Sequence, residues 1–299
     1  MTETDQLIDS GLVRRDVPLG PMTTYKAGGP AALFAQIENT DDLNLLIESG
    51  LTARHPLLVL GRGSNLVVAD SGFGGLVVKL GGDFTSTTIS GTRVEAGGAM
   101  PLPRLARQMV EAGVLGLEFF VGVPGSVGGA LRQNAGCFGV ETKDRLVSAV
   151  LVDLVSGGTS TRDPAGLELA YRHSNVASAE LVVSAAFDGY PGDPAAGKEK
   201  MREITRWRKE HQPGGTLNAG SVFKNPSDIT AGELIDSLGL KGMTVGDVAV
   251  SEKHANFFVA GPSATSDDIR RLVQTVKDTV FERSGTILET EIQFVGFES

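Results

Sequence analysis

Leu57-Leu58-Val59-Leu60-Gly61-Arg62-Gly63-Ser64-Asn65-Leu66-Val67-Val68-Ala69 reads as a strand, a glycine loop and a second strand. A dinucleotide fingerprint of the Gly-x-Gly-x-x-Gly type needs a third glycine and a helix start at this point. Leu66 occupies that third position, and Asn65–Ala69 is strand-like. Asp83 stands about where a ribose-binding acid would, which is a weak match by itself. The regular βαβ nucleotide fold is therefore set aside. Two readings of the loop stay open: a hairpin turn, or backbone N–H groups offered to an anion without a helix.

Outward from this loop the chain mixes strands and helices without βαβ regularity, so an α+β class is expected. Further strand-like runs lie at Ala32–Ile37, Leu76–Leu80, Val147–Leu154, Leu181–Phe187, Asn256–Val259 and Ile287–Val295. Helical spacing joins Leu102, Leu105, Ala106, Met109 and Val110, with Gly113 as a terminating residue. Leu43, Leu46 and Ile47 form a short stripe behind Thr40, the expected N-cap. Thr230 and Glu233 read as a capping box, and the stripe Ile269, Leu272, Val273, Val276, Val280 runs toward Gly285. Tyr190-Pro191-Gly192-Asp193-Pro194-Ala195-Ala196-Gly197 is the expected linker, with a second domain beginning in the helix around Lys198–Arg208.

Composition narrows the function classes. The 299 residues carry 27 Lys+Arg against 36 Asp+Glu, a net charge of −9, which disfavours non-specific nucleic-acid binding. The single cysteine, Cys137, excludes an intramolecular disulfide and a multi-cysteine metal site. Four scattered histidines show no metal-ligand spacing. The N-terminus shows no basic n-region and no apolar h-region, so no signal peptide is expected; no apolar run approaches a membrane span, and a cytoplasmic protein is expected. Glycine is the outlier at 39 residues, about 13% against the usual ~7%. Such a chain needs tight turns or a backbone pressed close to a ligand.

The densest glycine stretch is Gly122-Val123-Pro124-Gly125-Ser126-Val127-Gly128-Gly129-Ala130, followed by Asn134-Ala135-Gly136. It reads either as a packed turn or as a pyrophosphate cradle of successive N–H groups, completed by the Ser126 hydroxyl and the Asn134 amide. Ser221 sits in a turn of small and polar residues, Asn218–Pro226, that is not a Gly-x-Ser-x-Gly elbow. It is a turn hydroxyl, a nucleophile or a proton donor. Arg172, in Tyr171-Arg172-His173-Ser174, offers a permanently charged planar fork to a carboxylate or phosphate. Glu289 and Glu291 should share one face of a final strand, by alternation. Trp207-Arg208-Lys209-Glu210-His211 reads as a solvated helix end or as an anion contact.

Several of these stretches together resemble the bacterial UDP-N-acetylenolpyruvoylglucosamine reductases, flavoenzymes of peptidoglycan precursor synthesis. The resemblance is carried by Thr24-Tyr25-Lys26-Ala27-Gly28-Gly29-Pro30, Leu60–Asn65, Gly122–Gly129 with Asn134-Ala135-Gly136, and Tyr171-Arg172-x-Ser174. Ala219-Gly220-Ser221-x-Phe223-Lys224-Asn225-Pro226, His254-Ala255-Asn256-Phe257 and Leu288-x-x-Glu291 complete it, in the family's order across nearly the whole chain. It implies an FAD-binding fold of the vanillyl-alcohol-oxidase/PCMH type, with two subdomains, and a C-terminal α+β domain for the sugar nucleotide. The implied boundaries are 1–80 with 287–299, then 81–195, then 196–286.

The resemblance also implies the reaction. NADPH reduces FAD, and the enolpyruvyl ether of UDP-N-acetylglucosamine then receives hydride at C3 and a proton at C2. Arg172 and Glu291 match the pair that polarises the enolpyruvyl group, and Ser221 matches the proton donor. Cofactor contacts would fall to Tyr25, Gly61, Arg62, Gly63, Ser64, Asn65, Gly122, Pro124, Gly125, Ser126, Gly128, Gly129, Asn134 and Gly136. Tyr171, Arg208 and Asn225 align with substrate contacts, no metal is implied, and a monomer without nucleic-acid or membrane partners is favoured. The chain departs from some members in lacking a tyrosine-bearing loop after Arg172, in His211 where a lysine can stand, and in Gln133 before Asn134. Rival readings are a flavin oxidase of the same fold and a non-catalytic flavin or UDP-sugar binder. The joint presence of Arg172, Ser221 and Glu291 argues against both.

Overall fold

The computed structural model describes residues 3–226 and 228–297. Their contacts divide the chain into two compact units. The first holds the described residues up to Arg15, then Leu33–Arg62 and Gly75–Trp207; the second holds Asp16–Ala32, Gly63–Gly74 and the chain from Arg208 onward. The division falls inside the strands Val13–Pro18, Pro30–Ile37 and Phe73–Leu80 and inside the helix Pro194–His211. The class is α+β, as expected.

In the first unit, one sheet orders Val13–Pro18, Pro30–Ile37, Phe73–Leu80 and Leu57–Val59, the last two being parallel. Leu33, Ala35, Ile37, Leu76 and Val78 pack there with Leu43 and Leu46 of the helix Thr40–Glu48. That helix is capped one residue earlier than expected. Asn39, extended at φ −152°, accepts the Asp42 N–H at 2.9 Å, so Thr40 is its first turn rather than its cap. A second, antiparallel sheet orders Thr159–Arg162, Leu146–Asp153, Glu180–Asp188, Arg93–Gly97 and Thr87–Ser90. The helix Leu102–Glu111 buries its whole predicted stripe in the same core as Val94, Leu151 and Phe187. Full burial of each large side chain there contributes roughly 1.5–3 kcal/mol.

The expected linker is ordered structure. Tyr190 and Pro191 pair antiparallel with Leu115 and Val114. The Asp193 carboxylate accepts the Ala195 N–H at 2.9 Å, and Pro194 opens the 18-residue helix Pro194–His211. Proline suits a first helical position because its missing N–H has no partner to lose there. Gly197 is buried where a Cβ would stand 2.6 Å from Leu115 Cδ2, so glycine here permits close packing rather than a bend.

The second unit has the three-stranded sheet Thr244–Val245, Val248–Val250 and Phe258–Ala260. Two helices cover its core. Ala231–Ser237 begins with the predicted Thr230/Glu233 capping box. Ser266–Ser284 begins with a Thr265/Asp268 box and ends at Gly285, φ +72°. The final predicted strand shrinks to Gln293–Val295, parallel to Leu66–Val68. Residues 286–292 are irregular apart from a bridge between Thr290 and Phe223, so strand alternation does not apply to Glu289 and Glu291. Glu289 is exposed and pairs with Lys224 at 3.3 Å, whereas Glu291 is half-buried. The strand expected from Asn256 starts at Phe258, because the Asn256 amide bonds elsewhere.

A Cβ at Gly98 would overlap the Val182 carbonyl oxygen, and backbone cannot yield as a side chain does. Gly98→Ala is expected to destabilise by about 2–4 kcal/mol, while Gly214→Ala, in open space, should stay within about 0.5 kcal/mol of wild type. Chemical denaturation midpoints of the two variants decide this.

Candidate active site

The first unit carries the dense glycine loop. Ser126 is extended and caps the helix Val127–Gln133, its hydroxyl accepting the Gly129 N–H at 3.4 Å. The neighbouring amides are already committed. Val127 donates to the Met100 carbonyl at 3.0 Å and Gly128 to the Gly98 carbonyl at 2.8 Å. The expected row of free N–H groups at this helix start is thus spent on residues 98–100.

The glycines differ in why they are glycine. Gly136 would place a Cβ 2.5 Å from the Val140 carbonyl, and Gly63, at φ +62°, would press one onto the Met22 carbonyl. The protein's own backbone explains both. Gly125 and Gly129 lack positive φ, and a Cβ at either would meet only ordinary neighbours, Leu102 Cδ1 at 3.4 Å and Ser126 Oγ at 3.5 Å. A Cβ on Gly61 would lie 3.0 Å from the same Ser126 hydroxyl. Among the described residues no neighbour would be displaced by a Cβ at 125 or 129, so the backbone surface at both is open to close approach. A diphosphate-bearing cofactor such as FAD fits that surface, because its anionic linker gains from close backbone approach.

Asn134 acts otherwise than expected. It is fully buried in the left-handed region, φ +41°, and its amide donates to Ala170 O at 3.0 Å and Glu141 Oε2 at 3.1 Å. Its carbonyl accepts the Lys143 N–H at 3.0 Å. Here that amide anchors the turn that presents Tyr171 and Arg172. Ala170 and His173 exchange backbone hydrogen bonds across this turn, and Ser174 Oγ donates to the Arg132 carbonyl at 2.9 Å. Arg172 at the tip has φ +52°, a strained backbone for a non-glycine residue, and its guanidinium lies 5.0 Å from the Tyr171 ring centroid. Sequence patterns carried no sign of that strain.

In the second unit the structure brings Ser221, Glu291 and Asn65 together. The Ser221 loop is fastened from both sides. Val222 donates to the Asn256 carbonyl at 2.8 Å, and the buried Asn256 side chain accepts the Phe223 N–H at 2.9 Å and donates to the Phe223 carbonyl at 2.8 Å. The Val222 carbonyl accepts the Glu291 N–H at 2.8 Å. Asn65 Nδ2 donates to the Glu291 carbonyl at 3.0 Å, and the Asn65 carbonyl accepts the Gln293 N–H at 3.0 Å. Asn65, expected at the cofactor, therefore holds the segment bearing Glu291. Gly220, at φ +77° beside Ser221, has nothing within 4 Å of its absent Cβ.

Around this loop, the Tyr25 hydroxyl is buried without a well-formed hydrogen bond. Burial pushes its pKa up, and the nearby Ala219 backbone lowers it only partly. Asn225 Oδ1 accepts the Ala231 N–H at 3.1 Å and so helps start a helix. His254 Nδ1 accepts the Asn256 N–H at 3.2 Å, which leaves the proton of the neutral ring on Nε2. Burial, and then the charges of Lys241 and His211, pull the His254 pKa down, though its own backbone opposes this. Asn256 lies within the family-like stretch His254–Phe257 but has no site role by sequence reasoning; its place five residues beyond Ser251 gives no hint of reaching Phe223.

Comparison with known proteins shows what the chain is similar to. Residues 212–295 match the family described as UDP-N-acetylenolpyruvoylglucosamine reductase, C-terminal domain, and residues 31–161 match the FAD binding domain family. A UDP-N-acetylenolpyruvoylglucosamine reductase of Parvibaculum lavamentivorans is 41% identical over 281 residues, covering 94% of this chain and 90% of its own. One from Paramagnetospirillum magneticum is 42% identical over 287 residues, covering 96% and 92%. The crystal structure of the Thermus caldophilus reductase superposes with a TM-score of 0.82 at 33% identity, over 95% of this chain and 98% of that one.

Two substitution pairs test the site. Gly129→Ala should leave stability without ligand within about 0.5 kcal/mol of wild type yet weaken FAD binding about tenfold or more, whereas Gly136→Ala should destabilise the protein itself. Thermal unfolding and flavin fluorescence titration separate the two. Asn256→Ala leaves a buried N–H and C=O unpaired and is expected to cost about 2–4 kcal/mol in denaturant unfolding.

Proposed function

The chain belongs to the UDP-N-acetylenolpyruvoylglucosamine reductase family, and from that premise we propose how its own residues carry the reaction. Its fold is the FAD-binding fold of the vanillyl-alcohol-oxidase/PCMH type followed by the family's C-terminal domain. It is an FAD-dependent oxidoreductase of peptidoglycan precursor synthesis, with NADPH as hydride donor, and it converts the enolpyruvyl ether of UDP-N-acetylglucosamine to UDP-N-acetylmuramate. The family assignment sets aside the oxidase and non-catalytic readings. FAD, held by the glycine loops, would supply a two-electron carrier that can take hydride from NADPH and deliver it to C3 of the enolpyruvyl group.

The protein must make that double bond accept hydride. Negative charge develops on the carboxylate side as C3 is attacked, and a fixed cation there lowers the barrier. Arg172 supplies the cation; its strained turn, anchored through Asn134 and Ser174, fixes where the guanidinium is offered. Glu291 orients the same group, and its backbone is pinned by Val222 and Asn65 so that its position does not drift. Ser221 gives its hydroxyl proton to C2, completing the lactyl ether, and recovers a proton from water. The observation that carries this assignment is the direct fastening of the Ser221 loop to the Glu291 segment through the Val222 carbonyl.

The remaining contacts belong to the same proposal. Tyr25, Gly61, Arg62, Gly63, Ser64, Asn65, Gly122, Pro124, Gly125, Ser126, Gly128, Gly129, Asn134 and Gly136 are assigned to the cofactor side. Tyr171, Arg208 and Asn225 meet the sugar nucleotide. Residues 1–80 with 287–299 and 81–195 serve FAD, and 196–286 serve the substrate. Both co-substrates are cytoplasmic metabolites, which supports a cytoplasmic site of action. A monomer needing neither nucleic acid nor membrane is the simplest working form.

Ser221→Ala should leave reduction of bound flavin by NADPH unchanged and slow reoxidation by the enolpyruvyl substrate by about 10²-fold or more. Anaerobic stopped-flow absorbance follows the two half-reactions separately. Equal rates for variant and wild type in the second would remove Ser221 from the mechanism.

A further inference from the structure

Lys79 lies in the strand Phe73–Leu80, and its ammonium group donates to the Gly61 carbonyl at 2.6 Å. The side chain is half-buried. Among the described residues no carboxylate pairs with it; the charge acting on it is that of Arg62, which is also positive. Burial first, and Arg62 second, lower its pKa. An ammonium group has three N–H bonds, of which Gly61 takes one, and among the described residues no acceptor takes the others. A methionine would fill the same space without placing two like charges beside each other. Keeping a partly desolvated cation there without a counter-ion is unfavourable unless an anion arrives.

The tether also has a direction. A trans peptide points its N–H opposite to its C=O. Holding the Gly61 carbonyl therefore turns the Arg62 N–H away from Lys79, and Gly61 itself faces the Ser126 hydroxyl closely enough that a Cβ would stand 3.0 Å from it. Charge, an oriented peptide and a hydroxyl thus gather at one glycine within the first unit.

We propose that Lys79 is a cofactor-positioning residue, tethered to the Gly61 carbonyl and supplying with Arg62 the positive charge that receives the diphosphate of FAD. This rests on the flavoenzyme reading above. The same phosphate chemistry exists in the 2′-phosphate of NADPH; the glycine surface at Gly125 and Gly129 beside Ser126 favours the resident diphosphate, because that surface is open to close approach.

The test is titration of flavin-stripped protein by flavin fluorescence, using FAD and riboflavin, which has no phosphate, on wild type, Lys79→Met, Lys79→Gln and Lys79→Arg. In Lys79→Met the FAD dissociation constant should rise about tenfold or more while that of riboflavin changes less than about twofold. Lys79→Arg should recover most of the FAD affinity, a rescue that lost packing would not produce. If Lys79→Met does not fold, Lys79→Gln, which keeps a donor for Gly61 without the charge, carries the same comparison. Unchanged FAD affinity in a folded neutral variant overturns the proposal. So does equal weakening of FAD and riboflavin, which would make Lys79 a loop support only. A raised KM for NADPH but not NADH, with FAD affinity intact, overturns it in favour of the 2′-phosphate. Failure of wild type to bind FAD at all would instead sink the flavoenzyme reading, and is seen before any variant is compared.

Discussion

Asn256 exchanges two hydrogen bonds with the Phe223 backbone, so a buried side-chain amide stands where a neighbouring strand would otherwise be. The proposed catalytic segments need such help because they are irregular, and an irregular buried backbone must still satisfy its N–H and C=O groups. Asn134 does the same for Ala170 and Lys143, and Asn65 for Glu291. An asparagine side chain carries the donor and acceptor of a peptide without the chain direction of one. Three of them let loops of fixed shape be built where helix or sheet hydrogen bonding would force the wrong geometry.

This bears on how the reaction is held. Arg172 sits in a backbone conformation that costs about 1–3 kcal/mol, stable only because the surrounding bonds over-determine it. Ser221 follows a glycine in the left-handed region and is locked by its neighbours on both sides. The backbone at both residues is thus fixed by the protein's own bonds, so less binding energy is spent on ordering these loops.

The regular elements were legible because their signals are local. The Thr230/Glu233 box and the stripe from Ile269 to Val280 each state a helix within a few turns of sequence. The misreadings share a cause, namely partners distant along the chain. Glu289 and Glu291 lost their strand because residues 289–292 bond to the Ser221 loop instead. Tyr190–Gly197 resembled a linker until Leu115 and Val110 gave its glycine something to pack against. Glycine content could not separate Gly136, where a Cβ would meet the Val140 carbonyl, from Gly129, where among the described residues it would meet only the Ser126 hydroxyl at ordinary distance. Lys79 was hidden inside an apolar run, and only its neighbours give its charge a meaning.

The parallel pairing of Gln293–Val295 with Leu66–Val68 joins segments far apart in the chain, and Asn65 and Glu291 are 226 residues apart. Such a contact closes a long loop and forms late, since its entropy must be met before the contact rewards it. During synthesis Glu291 follows Ser221 by 70 residues, so a growing chain for a time holds Ser221 without the segment that fastens its loop. Until that segment has emerged, the second unit lacks part of its scaffold. A chain cut before Glu291 therefore lacks both a proposed catalytic carboxylate and the clasp on the Ser221 loop.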